Sequence, residues 1–231
     1  MIRSPLLGSL FAMTTIAASV LAQAPTARQA EMTAASRRAI LRDPSRPFWK
    51  AKAPDTVAVD FQTSRGTFTV ELVRAQAPNG VDRFYNLARA GYFDDSRFFR
   101  VVPFFVAQFG IAGDPAVARL WSLRRIPADS VRASNTRGTL TFAQNTPKDR
   151  TTNLFFNLRD NVALDSLGFA PIGRVVQGME VVDSLYSAYG EMPVSKPPLG
   201  NPQRLYNESN RYMDKRYPKL DRIVSITIRP R

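Results

Sequence analysis

Among the polar side chains of this sequence, Arg100 and Gln108 stand out by their setting. They lie eight residues apart in Phe98–Gln108, which reads Phe-Phe-Arg-Val-Val-Pro-Phe-Phe-Val-Ala-Gln. A guanidinium is always charged, rigid and rich in donors, and an amide both donates and accepts. Such a pair can hold an electron-rich atom without moving a proton. The β-branched and aromatic content around them marks strands. Pro103 cannot donate to a ladder and so marks an edge or a bend. Period-two alternation puts Phe98, Arg100 and Val102 on one face, Phe99 and Val101 on the other. The alternative is structural: a barrel strand whose arginine snorkels to water.

Composition narrows the chemistry. The chain has no Cys and no His. That excludes disulfides, thiol nucleophiles, zinc–thiolate sites, the Ser-His-Asp triad and an imidazole base. Carboxylate chemistry, lysine chemistry, or catalysis that moves no proton remain, and neither a cofactor nor a metal is expected. Lys and Arg number 32 against 19 Asp and Glu, a formal charge of +13. The charge is scattered rather than clustered, which points to solubility and transient contact with anionic surfaces, not to nucleic-acid binding.

The elements that must position the pair begin well inside the chain. Arg3, the apolar run Pro5–Val20 and Val20-Leu21-Ala22 read as a secretory signal over residues 1–22, with Ala22-Gln23-Ala24 as a competing cleavage site. The run is too short and wrongly flanked for a membrane anchor. Residues 23–55 carry Pro44, Pro47 and Pro54 and read as a loosely packed extension, with a short helix at Ala34–Leu41 and Phe48 and Trp49 as staples. The domain proper is 56–231. Val57–Thr63 and Thr67–Leu72 alternate around Ser64-Arg65-Gly66, a hairpin signal. A helix follows Pro78, with Asn79 as cap, Asp82 at capping-box spacing, Val81, Phe84 and Ala88 at i, i+3 and i+7 with Leu87 beside them, and Gly91 as its stop. Gly110–Arg137 has no sustained period and reads as a surface excursion long enough to carry function. Strands are expected at 138–143, 153–158, 169–176 and 222–228, and short helices at 178–186 and 207–217. This is a barrel or a sandwich with helical caps.

In order and spacing, several blocks resemble the cyclophilin family of peptidyl-prolyl isomerases, bacterial exported type. They are Gly91–Pro103, Phe105–Gln108, Gly113-Asp114-Pro115, Arg137–Ala143, Thr152–Phe156 and Phe169–Met179. The resemblance runs from about Thr56 to Ile228. It implies a mainly β fold, a closed eight-stranded antiparallel barrel capped by two α-helices. It also implies rotation of X-Pro bonds, against a barrier of roughly 18–20 kcal/mol set by amide resonance. Arg100 then takes the catalytic position and donates to the prolyl nitrogen in the twisted state. Gln108 binds substrate backbone and orients Arg100. Phe105 and Phe155 form the proline floor, with Val106 in place of the usual methionine, and Leu164 stands at the rim. Ala143 and Gln144 match the strand that pairs with the peptide, and Asn153 and Phe169 complete the substrate-binding set.

The sequence departs from the family pattern at Phe99 and Phe169, where histidines are usual, at Ala163 for a tryptophan, and at Phe104 for a glycine. The implied protein is a monomeric enzyme, periplasmic or secreted, acting on proline-containing polypeptides during folding. Two other readings stand beside it. One is a non-catalytic module that binds proline peptides; the other is a basic barrel that binds anionic polymers.

Overall fold

The alternating segments form the hairpin they predict: Thr56–Thr63 (β1) and Gly66–Val73 (β2) pair throughout, with Phe61 opposite Phe68. Those two rings stack 4.8 Å apart. The structure is a computed structural model that describes Met1, residues 32–146 and residues 148–229. Apart from Met1, the expected signal segment 1–22 lies outside the described residues. Thr33–Arg231 forms one compact unit.

Six further strands complete the sheet: Arg100–Val102 (β3), Val106–Phe109 (β4), Thr139–Phe142 (β5), Leu154–Asn157 (β6), Pro171–Gln177 (β7) and Ile223–Ile228 (β8). Their order is β3-β4-β6-β5-β7-β2-β1-β8, and every neighbouring pair is antiparallel. The expected closed barrel is corrected to an open half-barrel with β3 and β8 as its edges. Between these ends lies an isolated bridge, Arg97 to Arg222. The physical reason is the shortness of β3. Phe98 and Phe99 lie outside the strand that their alternation suggested, and the Phe98 amide donates instead to the Asp221 carbonyl at 2.9 Å. Both phenylalanines are buried.

Two capping helices were expected, with short helices at 34–41 and 207–217 besides, and seven α-helices occur among the described residues: Ala34–Leu41 (α1), Pro78–Arg89 (α2), Pro115–Ser122 (α3), Ala163–Ser166 (α4), Met179–Asp183 (α5), Pro202–Asn207 (α6) and Asn210–Arg216 (α7). Of these, α2 buries Val81, Phe84, Leu87 and Ala88, the stripe its spacing predicts. Its start is not capped as expected. Pro78 takes the first helical position, which places Asn79 inside the first turn. The cap comes from afar: the Asp129 carboxylate accepts from the Asn79 and Gly80 amides, each at 2.9 Å. Asp82 instead binds Arg74 at 2.8 and 2.9 Å and the Ala53 amide at 2.8 Å.

Residues 33–55 are docked rather than loose. Trp49 packs 4.3 Å from Trp121 of α3, and the Trp121 indole donates to the Leu41 carbonyl at 2.8 Å. Asn86 of α2 donates to the Ala51 carbonyl at 2.7 Å. The inner face of the sheet is aromatic, with Phe109 of β4 stacked 5.6 Å from Phe156 of β6, both fully buried. Because side chains alternate, burying Ala107, Phe109, Leu154 and Phe156 turns Gln108 and Phe155 to the opposite face.

Candidate active site

The outward row of three strands builds the site. Arg100 of β3 is the direct partner of Gln108 of β4, and Gln108 is the direct partner of Phe155 of β6. Directly opposed residues in antiparallel strands share a face, so these three side chains stand next to one another. Arg100 Nη1 donates to Gln108 Oε1 at 3.1 Å. Its guanidinium carbon lies 5.4 Å from the centre of the Phe105 ring, within cation–π range. Phe155 meets Phe169 edge-on with ring centres 5.9 Å apart.

These residues line a cavity of about 770 Å³. All ten residues singled out from sequence border it: Arg100, Phe105, Val106, Gln108, Ala143, Gln144, Asn153, Phe155, Leu164 and Phe169. Val106 and Phe155 are buried in its floor, and Leu164 stands at its rim on α4. Ala163 beside it is exposed and leaves that side of the rim open. One expectation needs correction. Ala143 and Gln144 do not belong to a strand, because β5 ends at Phe142. The Ala143 amide donates to the Asn153 carbonyl at 2.9 Å, and the Gln144 amide nitrogen donates to the Leu167 carbonyl at 3.2 Å. Gln144 Oε1 and Asn153 Oδ1 are buried without a protein partner.

Sequence reasoning missed three groups of residues. Behind the floor runs a buried amide network. Asn135 donates to Asp165 at 2.7 Å and to the Phe169 carbonyl at 2.8 Å, and accepts from Thr141 at 2.9 Å. Asn161 donates to Asn157 at 2.7 Å and to the Phe105 carbonyl at 2.9 Å. The network thus holds the backbone of both Phe105 and Phe169. Burial raises the pKa of the Asp165 carboxyl, but bonds from Ser134 and Asn135 outweigh this and hold it below the usual range. The second group comes from α3 and α6. Arg119, Leu123 and Tyr206 widen the cavity, and Asn153 donates to the Tyr206 hydroxyl at 2.7 Å. Asp114-Pro115 carried the signal for α3, since Asp114 caps it through the Ala116 amide at 2.8 Å with Pro115 at the first position. The third is Glu191, whose carboxylate binds Arg100 Nε at 2.7 Å and Nη2 at 2.6 Å. Those bonds, above all, hold the Glu191 carboxyl below its ordinary pKa against the opposing effect of partial burial.

This arrangement presents a cation tethered over an apolar, ring-lined floor. The family model described as cyclophilin type peptidyl-prolyl cis-trans isomerase/CLD matches residues 58–203. The chain belongs to this family. A cyclophilin relative from Acinetobacter baylyi, named a peptidyl-prolyl cis-trans isomerase, is 30% identical over 159 residues, 64% of this chain and 85% of that protein. Peptidyl-prolyl cis-trans isomerase A of Dickeya dadantii is 34% identical over 129 residues, 53% of this chain and 67% of that protein. The cyclophilin fold is shared with a Cryptosporidium parvum isomerase whose crystal structure was determined in the presence of the dipeptide Ala-Pro. The TM-score is 0.53 at 18% identity, covering 75% of this chain and 99% of that one.

Proposed function

We propose that this cyclophilin speeds rotation about X-Pro bonds in exported polypeptides, with Arg100 as the residue that lowers the barrier. One observation carries the reading. Arg100 is tethered beside the floor by Gln108 and Glu191, yet one N–H on each terminal nitrogen has no partner among the described residues.

The proline ring rests on Phe105 and Phe155, with Val106 beneath and Leu164 at the rim. The backbone around it meets Gln108 and the polar wall of Gln144 and Asn153. In the planar amide the prolyl nitrogen lends its lone pair to the carbonyl and accepts almost nothing. As the bond twists, conjugation is lost and the lone pair localises on nitrogen. A donor from Arg100 then gains strength only in the twisted state, which is what selective stabilisation of a transition state requires. No covalent bond forms and no proton changes owner.

The N-terminal pattern of residues 1–22 supports export to the periplasm or beyond the cell. The protein acts there as a monomer on proline-containing chains, and its net positive charge gives it transient contact with anionic surfaces. The test is refolding of a protein with a native cis-proline, whose slow phase takes roughly tens to hundreds of seconds unaided. The slow phase is expected to accelerate with substoichiometric enzyme while its amplitude stays constant. A rate independent of added protein would contradict the proposal.

A further inference from the structure

Arg100 is held from two sides, and only one belongs to the sheet. On the β4 side its partner is Gln108. On the other side an isolated antiparallel bridge joins Val101 of β3 to Gly190, a residue outside the eight strands. Antiparallel pairing at that step sets the residue before Val101 against the residue after Gly190, which are Arg100 and Glu191. The backbone itself therefore delivers the carboxylate to the guanidinium.

The segment that carries Glu191 is firmly built. Gly190 adopts φ +52° and its amide donates to the Ser187 carbonyl at 2.9 Å, closing a turn that a side chain would strain. The Glu191 carbonyl accepts from the amides of Val194 at 3.1 Å and Ser195 at 3.0 Å. Tyr189 packs edge-on against Tyr217, ring centres 5.2 Å apart, and the Tyr217 hydroxyl donates to the Leu199 carbonyl at 2.8 Å.

We propose that Glu191 is a positioning residue for the isomerase reaction, fixing the plane and reach of Arg100. This rests on the reading of Arg100 given above. The fork is bidentate, the geometry in which an arginine–carboxylate pair is both strongest and most directional. Glu191 uses the Nε edge and Gln108 the far terminal nitrogen. Together they leave a single orientation, with the two unused N–H groups available to substrate. Glu191 does not line the cavity, so it steadies Arg100 from behind instead of taking the substrate's place. The Arg100 side chain is 18% exposed and that of Glu191 54%, so the pair sits at the surface, where such bridges add little to stability. Its effect falls on orientation.

The experiment compares the wild type with Glu191→Gln, Glu191→Ala and Glu191→Asp. It measures kcat and KM on an Ala-Pro peptide, thermal stability, and the NMR signal of the Arg100 Nε proton. Glu191→Gln and Glu191→Ala are expected to lower kcat by about tenfold to a hundredfold, as misplacement of a catalytic group does, with KM and the unfolding temperature little changed. Their Arg100 Nε proton should exchange faster with water, and Glu191→Asp should recover part of both effects. Wild-type kinetics in Glu191→Gln, with unchanged proton exchange, would overturn the proposal. So would a rise in kcat, which would make Glu191 a competitor for Arg100. If the wild type itself shows no turnover, the isomerase reading fails first, and the proton-exchange data still report whether Glu191 holds Arg100.

Discussion

Arg100 and Gln108 are direct partners across the β3–β4 ladder, and their side chains meet at 3.1 Å. The turn at Pro103-Phe104 folds a separation of eight residues into adjacency. Gln108 thus restrains the terminal nitrogen that Glu191 leaves free. Gln108→Ala is expected to lower kcat/KM by about tenfold to a hundredfold through loss of that restraint. Steady-state kinetics on a proline peptide check this, with circular dichroism confirming the fold.

In the proposed function Phe155 forms part of the floor under the proline. Removing its ring takes away roughly 2 kcal/mol of apolar contact, about thirtyfold in affinity. Phe155→Ala should therefore weaken binding of an Ala-Pro peptide by that order, read from chemical-shift titration. Unchanged affinity would place the proline elsewhere in the cavity.

Phe104 occupies a left-handed backbone conformation, φ +57°, and the residue is 79% exposed. An aromatic residue there is strained and its ring gains little from packing. Phe104→Gly is expected to stabilise the protein by about 0.5–1 kcal/mol, raising the unfolding temperature by about 2–4 °C per kcal/mol for a chain of this size. Thermal denaturation decides it. A lower melting temperature would show that the exposed ring contributes more than the backbone strain costs.

The pH dependence follows from what the chain lacks and from one shifted group. With no histidine, no side chain has an ordinary pKa between about 6 and 8, and activity should be flat across that range. The Glu191 carboxyl is held below its ordinary value by Arg100. For a depressed carboxyl, the contribution of the ion pair is complete above the ordinary value of about 4.3 and is lost as pH falls through the lower folded value. The acid limb of the rate profile should therefore begin only below that ordinary value. A bell-shaped profile centred near neutrality would contradict a reaction that moves no proton.

Much of this was legible in the sequence, because the signals were local. Alternation gave the β1–β2 hairpin, and the apolar spacing of Val81, Phe84, Leu87 and Ala88 gave the buried face of α2. The two runs around Pro103 gave one strand for Arg100 and another for Gln108, and the ladder between them came from the structure. What escaped was non-local. The cap of α2 comes from Asp129, 50 residues beyond Asn79, and Glu191 reaches Arg100 from 91 residues away. No periodicity encodes such pairings. The amide network of Asn135, Asn157 and Asn161 looks like ordinary loop polarity until burial shows that each amide must find partners. Closure of the barrel was inferred from family likeness. It fails because β3 is only three residues long, and the chain before it meets the start of β8 at one isolated bridge, Arg97 to Arg222, instead of a ladder.

The most direct test of the account is cis/trans exchange of an Ala-Pro peptide, followed by NMR with the wild-type protein and with Arg100→Ala. The account expects clear acceleration by the wild type and loss of at least about a hundredfold in the variant, the usual scale for removing one transition-state donor. Equal acceleration by both would show that catalysis does not run through Arg100. No acceleration by the folded wild type would make this a proline-binding module instead of an isomerase.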